Sequence, residues 1–352
     1  LLTTSPPRSS QSTPMTKKSP HTVRIGGASG FWGDTGLAPL QLVQKGNVDY
    51  LIFDFLAEVT MSLLAKARER SPEAGYAVDF VQMLTPLLPQ IAEQGIRVVA
   101  NAGGVNLDAC RKALEAACEA QGVSLSVGTV EGDNLLDQMD FVRGENVSEL
   151  ETGADLPDRV LSMNAYLGAF PIAAALDAGA DIVVTGRCVD SAVVLGPLIH
   201  EFGWQTSNLD RLAQGSLCGH LLECGTQVTG GNFTDWQDVA DGWHDMGYPV
   251  AIVSENGSFD MTKPDETGGL VSPLSVGEQM LYEIGDPAAY KLPDVTCDFR
   301  RVTLTQASPD VVRVEGAKGR PPSENYKVSA TYMDGFKSTP SMVIIGLDAV
   351  KK

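Results

Sequence analysis

The residues of this chain best suited to chemistry fall in short polar segments, each of which follows an apolar run. Gly27, Ser29, Gly30 and Asp34 follow the run at 23–25, Asp54 and Glu58 follow 48–53, and Asn101, Gly103 and Gly104 follow 96–100. Glu131 and Asp133 follow 123–130, and Gly186, Arg187, Asp190 and Ser191 follow 181–185. If the runs are strands of one mainly parallel sheet, these segments line a single crevice at the strands' carboxyl ends, where open sheets bind their ligands.

Within that set Arg187 offers a planar fork for a carboxylate or a thioester-linked phosphate group. Asp190, three residues on, could act as a general base or orient Arg187. The plainer reading has Asp190 capping the following helix and pairing with Arg187 at i, i+3. With both exposed to the crevice, Arg187→Ala should weaken ligand binding about tenfold to a hundredfold and cost less than about 1 kcal/mol of stability. Glu58 follows Phe53-Asp54-Phe55-Leu56-Ala57. Burial there would raise its pKa toward acid–base use, and the alternative is a carboxylate favouring a helix N-terminus. We take Arg187, Asp190 and Glu58 as the candidate catalytic residues.

The other segments are candidate substrate contacts. The glycine-rich stretch 26–34 is neither GxGxxG nor a P-loop. Gly27 and Gly30 could bring the backbone close to a phosphate or carboxylate, or simply make a tight turn whose Asp34 caps a helix from Thr35. Glu131 and Asp133, alternate residues of an extended loop, should face the same way. They could share a proton or bind Mg²⁺, and a solvated acidic turn is the equal alternative. A second glycine-rich stretch carries Gln227, Thr229, Gly230, Gly231 and Asn232, whose amides and hydroxyls suit an acyl or carboxyl group. His220 and Glu223 stand at i, i+3 beside Cys218 and Cys224, but lack the spacing of zinc sites, and a packing role is favoured. No metal site and no cofactor is assigned, and there is no GxSxG elbow.

Elements that position such residues follow from the pattern. Strands at 23–25, 48–53, 96–100, 123–130 and 181–185 alternate with helices at about 35–45, 59–70, 79–94, 107–120 and 169–178. That rhythm means βαβ units, a mainly parallel Rossmann-like sheet and helices on both faces. After about residue 205 a helix at 208–223 gives way to alternating runs at 249–254, 297–305, 310–315, 326–333 and 342–347, the mark of antiparallel strands. The expected organisation is a disordered tail over 1–22, an α/β domain over 23–205 and a smaller α+β domain over 206–352. The last run meets the chain's end without a cap, which suggests C-terminal truncation.

Composition narrows the function. The 352 residues are 43% hydrophobic and 20% charged, and the net charge is −18. An acidic body without a basic cluster disfavours nucleic acid and anionic membranes. No run of 18 apolar residues exists. The six cysteines include no CxxC pair and read as reduced cytoplasmic thiols. The expected partner is a small-molecule acyl-CoA or carboxylic acid, and the expected assembly a homo-oligomer.

Four segments in this order resemble one family: Gly27-Ala28-Ser29-Gly30-Phe31-Trp32-Gly33-Asp34, Asn101-Ala102-Gly103-Gly104, Thr185-Gly186-Arg187-Cys188-Val189-Asp190-Ser191 and Thr229-Gly230-Gly231-Asn232-Phe233. Together they resemble the acyclic terpene utilisation protein AtuA family over about residues 23–350. The resemblance implies a bacterial-type cytoplasmic protein tied to the breakdown of citronellol, geraniol and related branched acyl-CoAs. Members are often longer, which fits the suspected truncation. The family transfers no named catalytic residue. A lyase or hydratase acting on a hydroxylated or unsaturated acyl-CoA is the first expectation. A non-catalytic acyl-CoA-binding or scaffold subunit of a carboxylase system is the second.

Overall fold

A computed structural model describes residues 21–351. The chain begins with β1 (Thr22–Gly27), α1 (Leu37–Gln41), β2 (Tyr50–Phe53), α2 (Glu58–Arg70), α3 (Val78–Leu84), α4 (Leu88–Gln94), β3 (Arg97–Ala100), α5 (Leu107–Gln121) and β4 (Val127–Val130). It continues through α6 (Met139–Gly144), β5 (Val160–Ala165), α7 (Phe170–Asp177), β6 (Ile182–Thr185), α8 (Ala192–Phe202) and α9 (Leu209–Glu223). Beyond these lie β7 (Val250–Ser254), β8 (Phe259–Thr262), α10 (Pro273–Leu281), β9 (Tyr290–Lys291), β10 (Thr296–Asp298), β11 (Thr303–Ser308), β12 (Val311–Glu315), β13 (Lys318–Arg320) and β14 (Val328–Tyr332).

Nine strands form one sheet in the order β11-β12-β8-β7-β1-β2-β3-β6-β4. From β1 to β4 every pairing is parallel, and from β1 to β11 every pairing is antiparallel. The seam is β1, where Ile25 faces Tyr50 of β2 on one side and Ala251 of β7 on the other. The expected α/β class with a parallel core is present. The strand order does not follow the 3-2-1-4-5-6 arrangement of doubly wound dinucleotide folds. Of the runs expected to be antiparallel after residue 205, those that hold β7, β11 and β12 extend the main sheet, together with β8, which was not expected. Two smaller antiparallel sheets, β13-β10-β9 and β14-β5, stand beside it.

Helices cover both faces, and β2 shows why. Its successive side chains point opposite ways, sending Tyr50 and Ile52 into an apolar cluster with α7, α8 and α9. Leu51 and Phe53 enter a second cluster with α1, α3, α4 and α5. A strand buried on both faces reads as a continuous apolar run, as residues 50–53 do. The first cluster also joins Val23 and Ile25 to Val312 and Val314, far apart in sequence.

Some expected elements differ. The helix at 79–94 is interrupted by a 3₁₀ turn at Thr85–Leu87, with Pro86 and Pro89 opening the new segments, because proline has no N–H to give the preceding turn. The helix expected from Thr35 starts at Leu37 and widens into a π turn over Leu42–Gly46. The run at 297–305 splits into β10 and the start of β11. The run at 342–347 forms no strand and leaves Met342, Val343, Ile345 and Leu347 exposed. Of the expected tail, residues 1–20 lie outside the described residues, and Thr22 already pairs with Ser254 in the sheet. Among the described residues no helix is long and apolar enough to cross a membrane.

Candidate functional site

At the carboxyl end of β6 the chain turns through Gly186 into Arg187. A Cβ on Gly186 would crowd the carboxylate of Asp133, so glycine here leaves room for that carboxylate under the turn. Asp133 then accepts hydrogen bonds from the Arg187 amide at 2.8 Å and from Asn164 Nδ2 at 2.7 Å. Burial raises its pKa, and these two donors oppose the shift. The turn aims the Arg187 side chain inward. Its guanidinium is buried, donates from Nη1 to the Leu56 carbonyl and, at 2.7 Å, to Asp190 Oδ1, and lies 4.2 Å from the Tyr166 ring centre. Its Nε is buried without a partner. Burial alone would lower the pKa of Arg187, but Asp190, then Tyr166 and Asp54, outweigh it, so the group stays charged.

Behind Arg187 three carboxylates converge. Oxygens of Asp54, Asp190 and Glu223 all lie within 4.8 Å of one another. Asp54 leaves the end of β2 and is held by Asn101, which donates from Nδ2 to Asp54 Oδ1 and accepts from the Phe55 amide at 2.6 Å. Glu223 ends α9 and meets Nδ1 of His220, one turn back, at 2.9 Å. Asp54 and Glu223 are both buried. Burial pushes the pKa of each well up, and the neighbouring Asp190 charge adds to it. With Asp190 ionised in the cleft beside Arg187, the two buried carboxylates this close to it are disfavoured as anions. The protein supplies counter-charge through Arg187, and burial favours the neutral form of Asp54 and Glu223.

In front of Arg187 opens a cleft of about 710 Å³, lined by Glu58, Tyr166, Arg187, Asp190, Lys291 and Lys327 among others. Lys327 precedes β14, and Tyr166 follows β5, so the small β5-β14 sheet forms one wall. Tyr166 donates its hydroxyl to Glu58 Oε1, and Lys327 Nζ reaches the same oxygen at 3.3 Å. Burial would raise the Glu58 pKa. The Tyr166 hydrogen bond, with Arg187 and Lys327, overcomes that and holds it at about 2. The expectation that Glu58 is raised toward acid–base use is therefore corrected. Its side chain is 52% exposed, and it stands at the first position of α2.

A family model for the acyclic terpene utilisation family protein AtuA matches residues 23–352. The chain belongs to the AtuA family. No curated protein and no solved structure matches it significantly.

In this AtuA-family chain the three candidate catalytic residues, Arg187, Asp190 and Glu58, share one cleft. Most of the candidate substrate contacts instead frame the residues behind it. Ser29 Oγ donates to the Asp54 carbonyl at 3.3 Å, and Asn101 holds the Asp54 carboxyl. Gly27 and Gly30 pack on the end of α9, where a Cβ would meet the Leu222 carbonyl at 2.6 Å or the Cys224 backbone at 2.8 Å. Asp34 accepts from the Gly30 and Thr35 amides, closing that loop rather than capping a helix. Gly103 and Gly104 lie against the backbone of Thr185 and Gly75.

The pairing of Glu131 with Asp133 does not form. Gly132 between them has φ +110, which breaks the extended alternation, so Glu131 is exposed while Asp133 is buried. In the second glycine-rich stretch Thr229 is buried and donates to the Gly247 carbonyl at 2.6 Å. Gly230 lies against Val239, and Gly231 against Thr226. Gln227 and Asn232 line a separate pocket of about 420 Å³. Sequence reasoning did not single out Tyr166, Lys291 or Lys327, and it passed over Asp54 and Glu223 as members of one group. The signal for Glu223 was its i, i+3 placement with His220.

Proposed function

We propose that this AtuA-family protein is an enzyme of acyclic terpene and branched acyl-CoA breakdown, a lyase or hydratase acting on a hydroxylated or unsaturated acyl-CoA. The observation that carries the reading is the double contact of Asp190, which lines the cleft and lies within 4.8 Å of Asp54 and Glu223. Both reaction types need one group to give and take a proton at the substrate, and another to stabilise the enolate-like charge that develops. Asp190 takes the first role. Arg187, with Lys291 and Lys327 at the cleft wall, offers the positive charge for an anionic substrate on a chain of net charge −18. Glu58 positions Tyr166 and Lys327 and is too weak a base for the proton transfer.

Purified protein is incubated with branched 3-hydroxyacyl-CoAs and their 2-enoyl counterparts, and the thioesters are followed by absorbance and chromatography. Turnover that disappears in Asp190→Asn supports the enzyme. Binding without turnover would favour the acyl-CoA-binding subunit instead, and neither binding nor turnover would sink both readings.

A further inference from the structure

We propose that Glu223 carries a proton in the resting protein, donates it to Nδ1 of His220, and acts as a positioning residue that supplies Asp190, the group facing the cleft. Donor accounting leads there. His220 Nε2 lies 3.0 Å from the Gln279 carbonyl, and a carbonyl only accepts, so Nε2 holds a hydrogen. Nδ1 of the neutral ring is then an acceptor. Its partner at 2.9 Å is Glu223 Oε1, which must donate and so must be protonated. The alternative places an imidazolium against a carboxylate, two ions removed from water in a site where both residues are buried. A neutral pair avoids that desolvation.

The surroundings act in the same direction. Asp54 and Asp190 face Glu223 from the ends of β2 and β6, and Glu283 faces it from beyond α10. The opposing cation is Arg187, already engaged by Asp190 at 2.7 Å. Tyr290 packs beside His220, with ring centres 6.2 Å apart, and burial raises its own pKa. Oxygens of Glu223 and Asp190 lie within 4.8 Å of each other, within reach for proton transfer. From the resting pair, an ionised Asp190 and a protonated Glu223, the O–H bond of Glu223 breaks and one on Asp190 forms; Asp190 then gives that proton to substrate, leaving both groups as carboxylates. The proton that a hydratase or lyase removes from water or substrate returns through the same two groups, so the pair ends the cycle as it began. This second half rests on the enzymatic reading above.

The test starts with the free protein labelled at the glutamate side-chain carboxyl carbons, followed by NMR from pH 5 to pH 8. One glutamate resonance should remain in the protonated range at pH 7 and vanish in Glu223→Gln, whose amide can still donate to His220. Absence of that resonance, or its survival in the variant, would overturn the proposal. If the variant fails to fold, ¹⁵N-histidine spectra of the wild type decide. A neutral, Nε2-protonated ring that does not titrate across this range is expected, and an imidazolium overturns the assignment. Stoichiometric Mn²⁺ binding lost in Glu223→Gln would also overturn it, since the cation would stand where the proton is placed. With an active substrate, Glu223→Gln should lower kcat at least tenfold, leave KM unchanged and move the pH profile. Missing turnover in the wild type would count against the enzymatic reading alone, because the spectra need no substrate.

Discussion

Arg187 Nη1 donates to Asp190 Oδ1 at 2.7 Å across three residues, yet the arginine side chain is 3% exposed and the aspartate 37%. The pair thus bridges interior and cleft, with its positive member inside. This reverses the exposed pair anticipated from sequence and changes what each substitution should do.

Arg187→Ala strips Asp190, Asp54 and Glu223 of their shared cation. Removing one member of a buried ion pair costs about 3–5 kcal/mol, so the urea midpoint should fall substantially. A loss below about 1 kcal/mol would reinstate the exposed pair.

Asp190→Asn keeps an oxygen that can accept from Arg187. The fold should hold to within about 1 kcal/mol, while turnover drops roughly 10²–10⁴-fold, the usual contribution of a general acid or base. Denaturation and steady-state kinetics on one preparation separate the two effects, and unchanged turnover would remove Asp190 from the chemistry.

The site was half legible in the sequence, and for a definite reason. Arg187, Asp190 and Glu58 each follow a strand of the parallel half, and parallel strands put their carboxyl ends on one side of the sheet. Tyr166 and Lys327 were not legible, because they flank β5 and β14, and nothing local announces that pairing. The stretch 160–165 carries Ser162 and Asn164 at buried positions, which hides its apolar alternation. Glu223 was visible only as a neighbour of His220. Its approach to Asp54 depends on Gly27 and Gly30 letting α9 end against the glycine-rich loop. The exposed run at 342–347 shows the converse, an apolar pattern that met no partner strand.

A pH effect should arise at Asp294, whose Oδ2 accepts from the Ala169 amide at 2.7 Å and whose pKa burial raises to about 6. A raised carboxyl pKa means that the folded state holds the proton more tightly than the unfolded one. The associated stability is complete below about pH 4 and is lost as pH rises through 6. In wild type this should appear as a decline of about 3 kcal/mol, and Asp294→Asn should flatten it. An identical pH dependence in both proteins would disprove the assignment.

Gly27→Ala sets a methyl group against the Leu222 carbonyl, 2.6 Å away. Backbone cannot swing aside as a side chain can, so a cost of about 1–3 kcal/mol is expected, along with displacement of the α9 terminus. The glutamate resonance assigned to Glu223 should shift in this variant. A thermal melt matching wild type would show that the contact is looser than described.

The antiparallel pairing of β1 with β7 has a consequence for biosynthesis. β1 leaves the ribosome well ahead of the strand that covers its second edge, residues 250–254. At about 5–20 residues per second, that edge waits roughly 10–50 s with its backbone donors and acceptors unsatisfied. An open edge on an apolar strand is a template for pairing with other chains. Nascent chains stalled before residue 250 should therefore associate with chaperones or with one another, and release should coincide with synthesis of the hairpin that closes the sheet.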